Sequence, residues 1–172
     1  MLSNVQINII GSGYVGTTVG ACLADLGHEV TTIDIDEEVV AAINAGESPI
    51  HEPRLDDLLA EHVGETLTAT TSYDDLADAA VTFLAVQTPS RSDGSIDTGP
   101  LLSAARMAGE ALQDTDARHL VVVKSTVTPP NVRKLREAVL DGAGGASDRV
   151  EVAANPEFQR EGSAVEDFLD PQ

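Results

Sequence analysis

The chain is poor in cysteine and aromatic residues, and each shortage excludes a class of site. Cys22 is the only cysteine among 172 residues, so the sequence predicts no internal disulfide and no cysteine-based zinc site. With no tryptophan, two tyrosines and three phenylalanines, there is no aromatic platform on which nucleic-acid bases could stack. The four histidines show no metal-ligand spacing. We therefore predict no metal site and expect most histidines in loops or on the surface.

Basic residues are also scarce. Ten lysines and arginines stand against 29 aspartates and glutamates, which gives a formal net charge of −19. Such a chain repels phosphate backbones and anionic membranes, so we expect neither nucleic acid nor membrane as a partner. It also lacks a run long enough to span a membrane and a basic-then-apolar amino end, which favours a cytoplasmic location. Because salt screens self-repulsion, the charge suggests a halophilic source, with an ordinary acidic enzyme as the alternative.

Apolar runs alternate with amphipathic segments along the whole chain. At 172 residues and 42% hydrophobic composition, the sequence is sufficient for one globular domain, residues 1–172. The predicted strands are 5–10, 29–34, 67–70, 81–86, 120–124 and 150–153. The predicted helices are 15–26, 36–46, 55–62, 73–79, 100–113 and 128–140, with a flexible connection at 142–147. This alternation predicts an α/β fold, a Rossmann-type doubly wound parallel sheet in a single domain.

A glycine-rich turn joins the first strand to the first helix. Gly11 permits a tight turn, Gly13 lets backbone approach a pyrophosphate, and Gly16 lets the helix pack close to the strand. Tyr14 and Val15 begin the helix, where unpaired N–H groups and a partial positive charge favour phosphates. The turn therefore predicts a dinucleotide site.

Asp34 ends the second predicted strand, where a ribose diol would lie. Its carboxylate favours NAD over NADP, because it would repel a 2′-phosphate. An S-adenosylmethionine site also combines a glycine turn with an acid, so a methyltransferase is an alternative.

Polar motifs follow three further strands, at 87–89, 124–126 and 155–157. In a parallel sheet of this kind, ligands bind in the crevice outside the carboxyl ends of the strands. We therefore expect these motifs, the glycine turn and Asp34 to meet in one site.

In this order, the motifs resemble those of the UDP-glucose/GDP-mannose dehydrogenase family. The similarity extends over nearly the whole chain, and its most specific part is Asn155-Pro156-Glu157-Phe158. The motifs are Gly11–Gly16, Asp34-Ile35-Asp36, 48–53, 87–89, 124–127 and 155–162. The resemblance implies an NAD-dependent, four-electron oxidation of UDP-glucose or GDP-mannose. The C6 alcohol becomes an aldehyde, then a thioester on a cysteine, and finally a carboxylate.

The resemblance also implies roles for individual residues. Asp34 would bind the adenosine ribose. Glu157 would provide or place the base for thioester hydrolysis, and Glu161 would lie between nicotinamide and sugar. Thr88, Pro89 and Thr126 would contact the cofactor, with Thr126 also in the catalytic set; Phe158 and Arg160 would join both glutamates in binding substrate.

Several of these residue types are compatible with more than one role. Proton transfer at C6 needs groups such as carboxylates, and Glu157 and Glu161 would share a face if the backbone were helical there. Surface acids are an equal alternative. Phe158 fits core packing better than a ligand contact. Lys124 could contact the cofactor or extend into solvent. Gln159 stands where the family usually has leucine.

The sequence given ends at Gln172, whereas family members continue through a central helix and a second α/β domain. That part supplies the nucleophilic cysteine, and Cys22 cannot replace it because its helical stripe predicts a buried core thiol. We therefore expect the chain alone not to complete the reaction, and a separately encoded C-terminal half is a candidate partner. A GDP-mannose enzyme and a non-catalytic NAD-binding module are the alternatives.

Overall fold

The computed structural model describes residues 4–171, so the ends of the predicted domain, residues 1–3 and 172, lie outside it. Its strands are β1 Gln6–Ile10, β2 Glu29–Ile33, β3 Leu67–Thr70, β4 Val81–Leu84, β5 His119–Val123 and β6 Val150–Ala154. Its α-helices are α1 Tyr14–Asp25, α2 Glu37–Asn44, α3 Leu55–His62, α4 Gly99–Ala111, α5 Pro129–Ala143 and α6 Ala164–Leu169.

The six strands form one parallel sheet in the order β3-β2-β1-β4-β5-β6. This order confirms the predicted Rossmann-type doubly wound fold. The strand order reverses between β1 and β4, which opens a crevice at their carboxyl ends. The glycine turn leaves β1 at this crevice.

Each face of the sheet carries its own hydrophobic core, because alternate side chains of a strand point to opposite faces. Ile9 and Val30 belong to the core that includes α1 and α3 residues. Ile10 and Ile33 belong to the core that includes α4 and α5 residues. The neighbouring strands β1 and β2 therefore hold the site between two packed layers.

Most predicted elements are present with ends shifted by a few residues, but several predictions were wrong. The predicted helix at 73–79 is only a 3-10 turn, Leu76–Asp78. The Asp74 N–H donates to the Ser72 hydroxyl, and the Leu76 carbonyl accepts from the Asn8 side chain, so these groups are engaged outside a helix. The predicted flexible connection instead continues α5 to Ala143 and ends in the 3-10 turn Gly144–Ala146. Burial of Ala143 and Ala146 stabilises this structure despite the glycines. Helix α6 was not predicted.

The burial of Cys22 agrees with its prediction, whereas that of His119 was not expected. Cys22 is buried in α1, as its position in the apolar stripe predicted. His119 is only 2% exposed and is an exception to the expectation that most histidines lie in loops or on the surface. Its Nε2 lies 2.8 Å from the hydroxyl of Thr82 on the neighbouring strand, so a polar pair between β4 and β5 accommodates it.

Among residues 4–171, no helix has both the length and the apolar character required to cross a bilayer. In the same residues, no group of three or more histidine, cysteine, aspartate or glutamate side chains is arranged to hold a metal ion.

Candidate functional site

The turn after β1 requires glycine at two of its positions for steric reasons. Gly11 has a φ of +98°, and a Cβ there would lie 2.8 Å from the carbonyl carbon and oxygen of Ala85. A Cβ on Gly16 would lie 1.8 Å from the carbonyl oxygen of Gly11. The turn, β4 and the start of α1 are therefore packed backbone against backbone.

Asp34 is fixed to this turn. Its Oδ2 accepts a hydrogen bond from the Ser12 N–H at 2.6 Å, and its Oδ1 accepts one from the Asp36 N–H at 3.0 Å. Since a carboxylate oxygen can accept more than one hydrogen bond, both retain capacity for a diol. No side chain among the described residues caps the N-terminus of α1. A carboxylate thus stands beside an uncapped helix end.

A cavity of about 430 Å³ lies on one side of Gly13. Asp34 gives it a polar end, while Ile35 and Met107 contribute apolar surface, with Ile35 86% exposed. Tyr73 also lines it, and burial followed by the Asp34 charge raises the pKa of the Tyr73 phenol. The arrangement suits a flat ring attached to a ribose.

No ligand role was predicted from the sequence for Ile35, Tyr73 or Met107. The position of Ile35 in the cavity could have been predicted, since it directly follows Asp34 in the motif Asp34-Ile35-Asp36. Met107 lies on α4, and only the chain fold brings it to the cavity.

A second cavity, of about 260 Å³, lies on the other side of Gly13. The Thr88 hydroxyl donates to the Thr126 carbonyl oxygen at 3.3 Å, which joins the strand ends of β4 and β5 beside it. Five of the predicted site residues line this cavity together with Gly13: Tyr14, Val15, Thr88, Thr126 and Glu157.

Other predicted site residues lie outside the lining of either cavity. Arg160 forms an ion pair with Asp167, with its Nη2 and Nε 2.6 and 2.9 Å from the carboxylate oxygens. Pro89 and Glu161 are exposed. Phe158 is 90% exposed, so the prediction of core packing was wrong.

Residues 155–163, which we call the acidic loop, are not helical. The condition under which Glu157 and Glu161 would share a helix face is therefore not met. The Glu157 carboxylate accepts a hydrogen bond from the Gln159 N–H, a local bond that competes with helix formation.

Lys124 is half-buried at the start of the acidic loop, and a contact with the cofactor stays a prediction. Its Nζ donates to the Asn155 Oδ1 at 3.0 Å. Burial lowers the pKa of Lys124, and the nearby Glu157 charge opposes that shift.

Glu52 belongs to the motif at 48–53, and no role was predicted for it from the sequence. It is 4% exposed and accepts hydrogen bonds from the Tyr14 hydroxyl and from the N–H groups of Gly162 and Ala164. Burial opposes its ionisation, but the hydrogen bonds from Tyr14 and from backbone N–H groups outweigh burial and lower its pKa. Burial, and then the bond to Glu52, raise the pKa of Tyr14 to about 12.

Known proteins are similar to this chain in both sequence and fold. Residues 5–172 match the model of the UDP-glucose/GDP-mannose dehydrogenase family, NAD binding domain. The UDP-glucose 6-dehydrogenase AglM of Haloferax volcanii is 50% identical over 169 residues, 97% of this chain and 39% of that protein. The GDP-mannose 6-dehydrogenase of Azotobacter vinelandii is 39% identical over 171 residues, with coverages of 97% and 39%.

A solved structure of a UDP-glucose dehydrogenase is also similar to this chain. The UDP-glucose dehydrogenase of the archaeon Pyrobaculum islandicum superposes with a TM-score of 0.90 at 37% identity, covering 98% of this chain and 39% of that one. The chain thus spans 39% of the length of these relatives. It belongs to the UDP-glucose/GDP-mannose dehydrogenase family and corresponds to the family's NAD-binding domain.

Proposed function

We propose that this chain provides the NAD site of a UDP-glucose 6-dehydrogenase. The observation that carries the proposal is the pair of cavities that meet at Gly13, one beside Asp34 and one beside Glu157. The 50% identity to the Haloferax volcanii UDP-glucose 6-dehydrogenase favours UDP-glucose as the sugar nucleotide.

The larger cavity would receive the adenosine half of NAD. Asp34 would accept hydrogen bonds from the ribose diol, and Ile35 and Met107 would contact the adenine ring. The uncapped start of α1, at Tyr14 and Val15, would bind the pyrophosphate through backbone N–H groups. The packing of Gly11 against Ala85 leaves the backbone bare of side-chain atoms at this point, which fits a dinucleotide.

The smaller cavity would receive the nicotinamide end. NAD held in this cavity would supply the oxidant for hydride transfer from C6 of the sugar. One NAD would be consumed in the oxidation of alcohol to aldehyde and a second in that of hemithioacetal to thioester. Thr126 would hold the reacting end in place, with Thr88 and Pro89 contacting the cofactor. Glu157 would activate the water that hydrolyses the thioester, and Glu161, Phe158 and Arg160 would contact the sugar nucleotide.

The nucleophilic cysteine of this reaction would have to come from elsewhere. Cys22 is fully buried, and burial is the main reason its pKa is raised to about 12, so it offers no thiolate. We propose that residues 1–172 act with a cysteine-bearing substrate domain. That domain could belong to the same polypeptide or be separately encoded.

The cofactor proposal is tested by measuring binding of NAD, NADP and S-adenosylmethionine to the chain in molar salt. NAD should bind clearly best. We expect Asp34→Asn to weaken NAD binding by about tenfold and to reduce the preference over NADP, since it removes the charge that repels a 2′-phosphate. Asp57→Asn is the matched control, because it removes the same charge from an exposed position on α3 that lines neither cavity. Equal effects of the two variants would contradict the role of Asp34.

The substrate proposal is tested by NADH formation with UDP-glucose or GDP-mannose. The assay is run with the chain alone and with a protein that supplies the cysteine domain. UDP-glucose should support turnover only in the second case. Turnover with GDP-mannose alone would favour the other branch of the family, which the 39% identity to the Azotobacter enzyme keeps as the second candidate. Tight NAD binding without turnover in any combination would favour a non-catalytic module.

The acidic surface leads to a further part of the proposal, namely that the chain works in a cytoplasm of high ionic strength. Support comes from the net charge of −19 and the salt needed to screen it. The unfolding temperature should rise substantially between dilute buffer and molar KCl. Full stability in dilute buffer would contradict a halophilic adaptation.

A further inference from the structure

Glu52 differs from the other acidic residues of the chain in its environment. Among residues 4–171, it is the only aspartate or glutamate in the buried class. A buried carboxylate costs free energy unless hydrogen bonds replace its lost hydration. The surroundings of Glu52 therefore have to supply hydrogen-bond donors. The positions of those donors in the chain show which segments the carboxylate connects.

The three donors come from two parts of the chain that are distant in sequence. Tyr14 follows the glycine turn and is 38 residues from Glu52. Gly162 and Ala164 are 110 and 112 residues away, and their N–H groups lie 2.8 and 2.7 Å from the two carboxylate oxygens. One side chain thus joins the cofactor turn to the far end of the acidic loop.

The acidic loop is held at both of its ends. At the start, the Asn155 N–H donates to the Val123 carbonyl oxygen at 2.9 Å, and Lys124 binds the Asn155 side chain. At its far end, the loop is held by the Glu52 carboxylate. Glu157 and Glu161 lie between these two attachments, so the position of both depends on each end being held.

We propose that Glu52 is a positioning residue that couples the cofactor turn to the acidic loop. Through Tyr14 on one side and the N–H groups of Gly162 and Ala164 on the other, it places Glu157 beside the cavity lined by Thr126. Binding of NAD at the turn would then also order the loop. This second effect rests on the proposed function, whereas the attachment of the loop does not.

The attachment is tested by amide hydrogen exchange of residues 155–164 in the full chain without NAD. Glu52→Gln retains the shape of the side chain but loses the charge that two backbone N–H groups bind. We expect exchange in this segment to become about tenfold faster, as for the loss of hydrogen bonds to a charged group. Glu61→Gln, an exposed acid on α3, removes the same charge and should leave the exchange rates unchanged. Unchanged rates in Glu52→Gln would overturn the proposal.

The coupling is tested by repeating the exchange with saturating NAD. In the unaltered chain and in Glu61→Gln, NAD should slow exchange of residues 155–164. In Tyr14→Phe, the loop retains its two bonds to Glu52 but the link to α1 is cut. Because Tyr14 itself lies at the cofactor turn, NAD is first titrated with each variant and exchange is compared at a concentration that saturates each one. At saturation, Tyr14→Phe should lose at least half of the additional protection by NAD, while its exchange without NAD should match that of the unaltered chain.

These measurements separate the two proposals. If the unaltered chain binds no NAD, the proposed function fails, while the exchange rates without NAD still test the attachment. If NAD binds but protects the loop equally in the unaltered chain and Tyr14→Phe, or protects it in neither, the coupling is overturned and the cofactor site stands. Should Glu52→Gln not fold, the Tyr14→Phe comparison decides.

Discussion

The cofactor turn and the acidic loop border the same cavity but are built in opposite ways. The turn lies between two hydrophobic cores, and atoms of its neighbours fill the space that a side chain on Gly11 or Gly16 would need. The acidic loop has no regular structure, exposes Phe158 and is attached through hydrogen bonds at its ends. Close packing thus fixes the cofactor turn, which would bind NAD. A few hydrogen bonds fix the acidic loop, which would carry Glu157 and Glu161 for proton transfer.

The largest test of this contrast is Gly16→Ala. The added methyl group would lie 1.8 Å from the carbonyl oxygen of Gly11, so the start of α1 has to move away from the turn. We expect a loss of about 3 kcal/mol in the free energy of unfolding, the upper range for overpacking, and loss of measurable NAD binding. Urea unfolding in molar salt and NAD titration measure the two effects.

Gly145→Ala is the control for that substitution. Gly145 lies in the 3-10 turn after α5, has no neighbouring atom within 4 Å of an added Cβ, and does not adopt a positive φ. The free energy of unfolding of the Gly145→Ala variant should differ from that of the unaltered chain by less than about 0.5 kcal/mol. If the two alanine variants were equally stable, the turn would be more adaptable than its packing indicates.

The same contrast accounts for how much of the site could be predicted from sequence. The turn follows from local steric rules, so Gly11, Gly16 and the acid at Asp34 could be assigned a geometry from their spacing. Glu52 could not, because its donors come from residues 38 to 112 positions away. Burial of His119 likewise depends on Thr82 of a neighbouring strand. The fold class needed only the alternation of strands and helices.

Lowering the pH should distinguish the sheet, which carries the cofactor turn, from the attachment of the acidic loop. Burial lowers the pKa of His119 below its ordinary value of 6.5, so the unfolded chain binds this proton more readily. Stability should therefore decrease as pH falls below 6.5. The Glu52 pKa is instead lowered from 4.5, so its contribution is present above 4.5 and is lost as pH falls through the folded-state value. The sheet should weaken first and the loop attachment later.

Unfolding temperatures between about pH 7 and pH 5, measured in molar salt, check the first window. His119→Gln should flatten the decrease, whereas His51→Gln, which alters an exposed histidine, should leave its slope unchanged. Hydrogen exchange of the acidic loop measured below pH 4.5 and corrected for intrinsic rates reports the second window. If exchange in the acidic loop became faster at the same pH at which the unfolding temperature falls, the loop and the sheet would not be stabilised independently.

The smallest expected effect comes from Phe158→Ser. Because this ring is 90% exposed, its removal takes almost no buried apolar surface from the chain, and stability should change by less than about 0.5 kcal/mol. Phe168→Ser makes the same change in α6, where the ring packs against the core that includes α1, and should cost about 1–3 kcal/mol. Chemical unfolding of both variants gives the comparison. A substantial cost at Phe158 would mean that the acidic loop is packed onto the domain as firmly as α6, and hydrogen bonds at its two ends would then not be what determines its position.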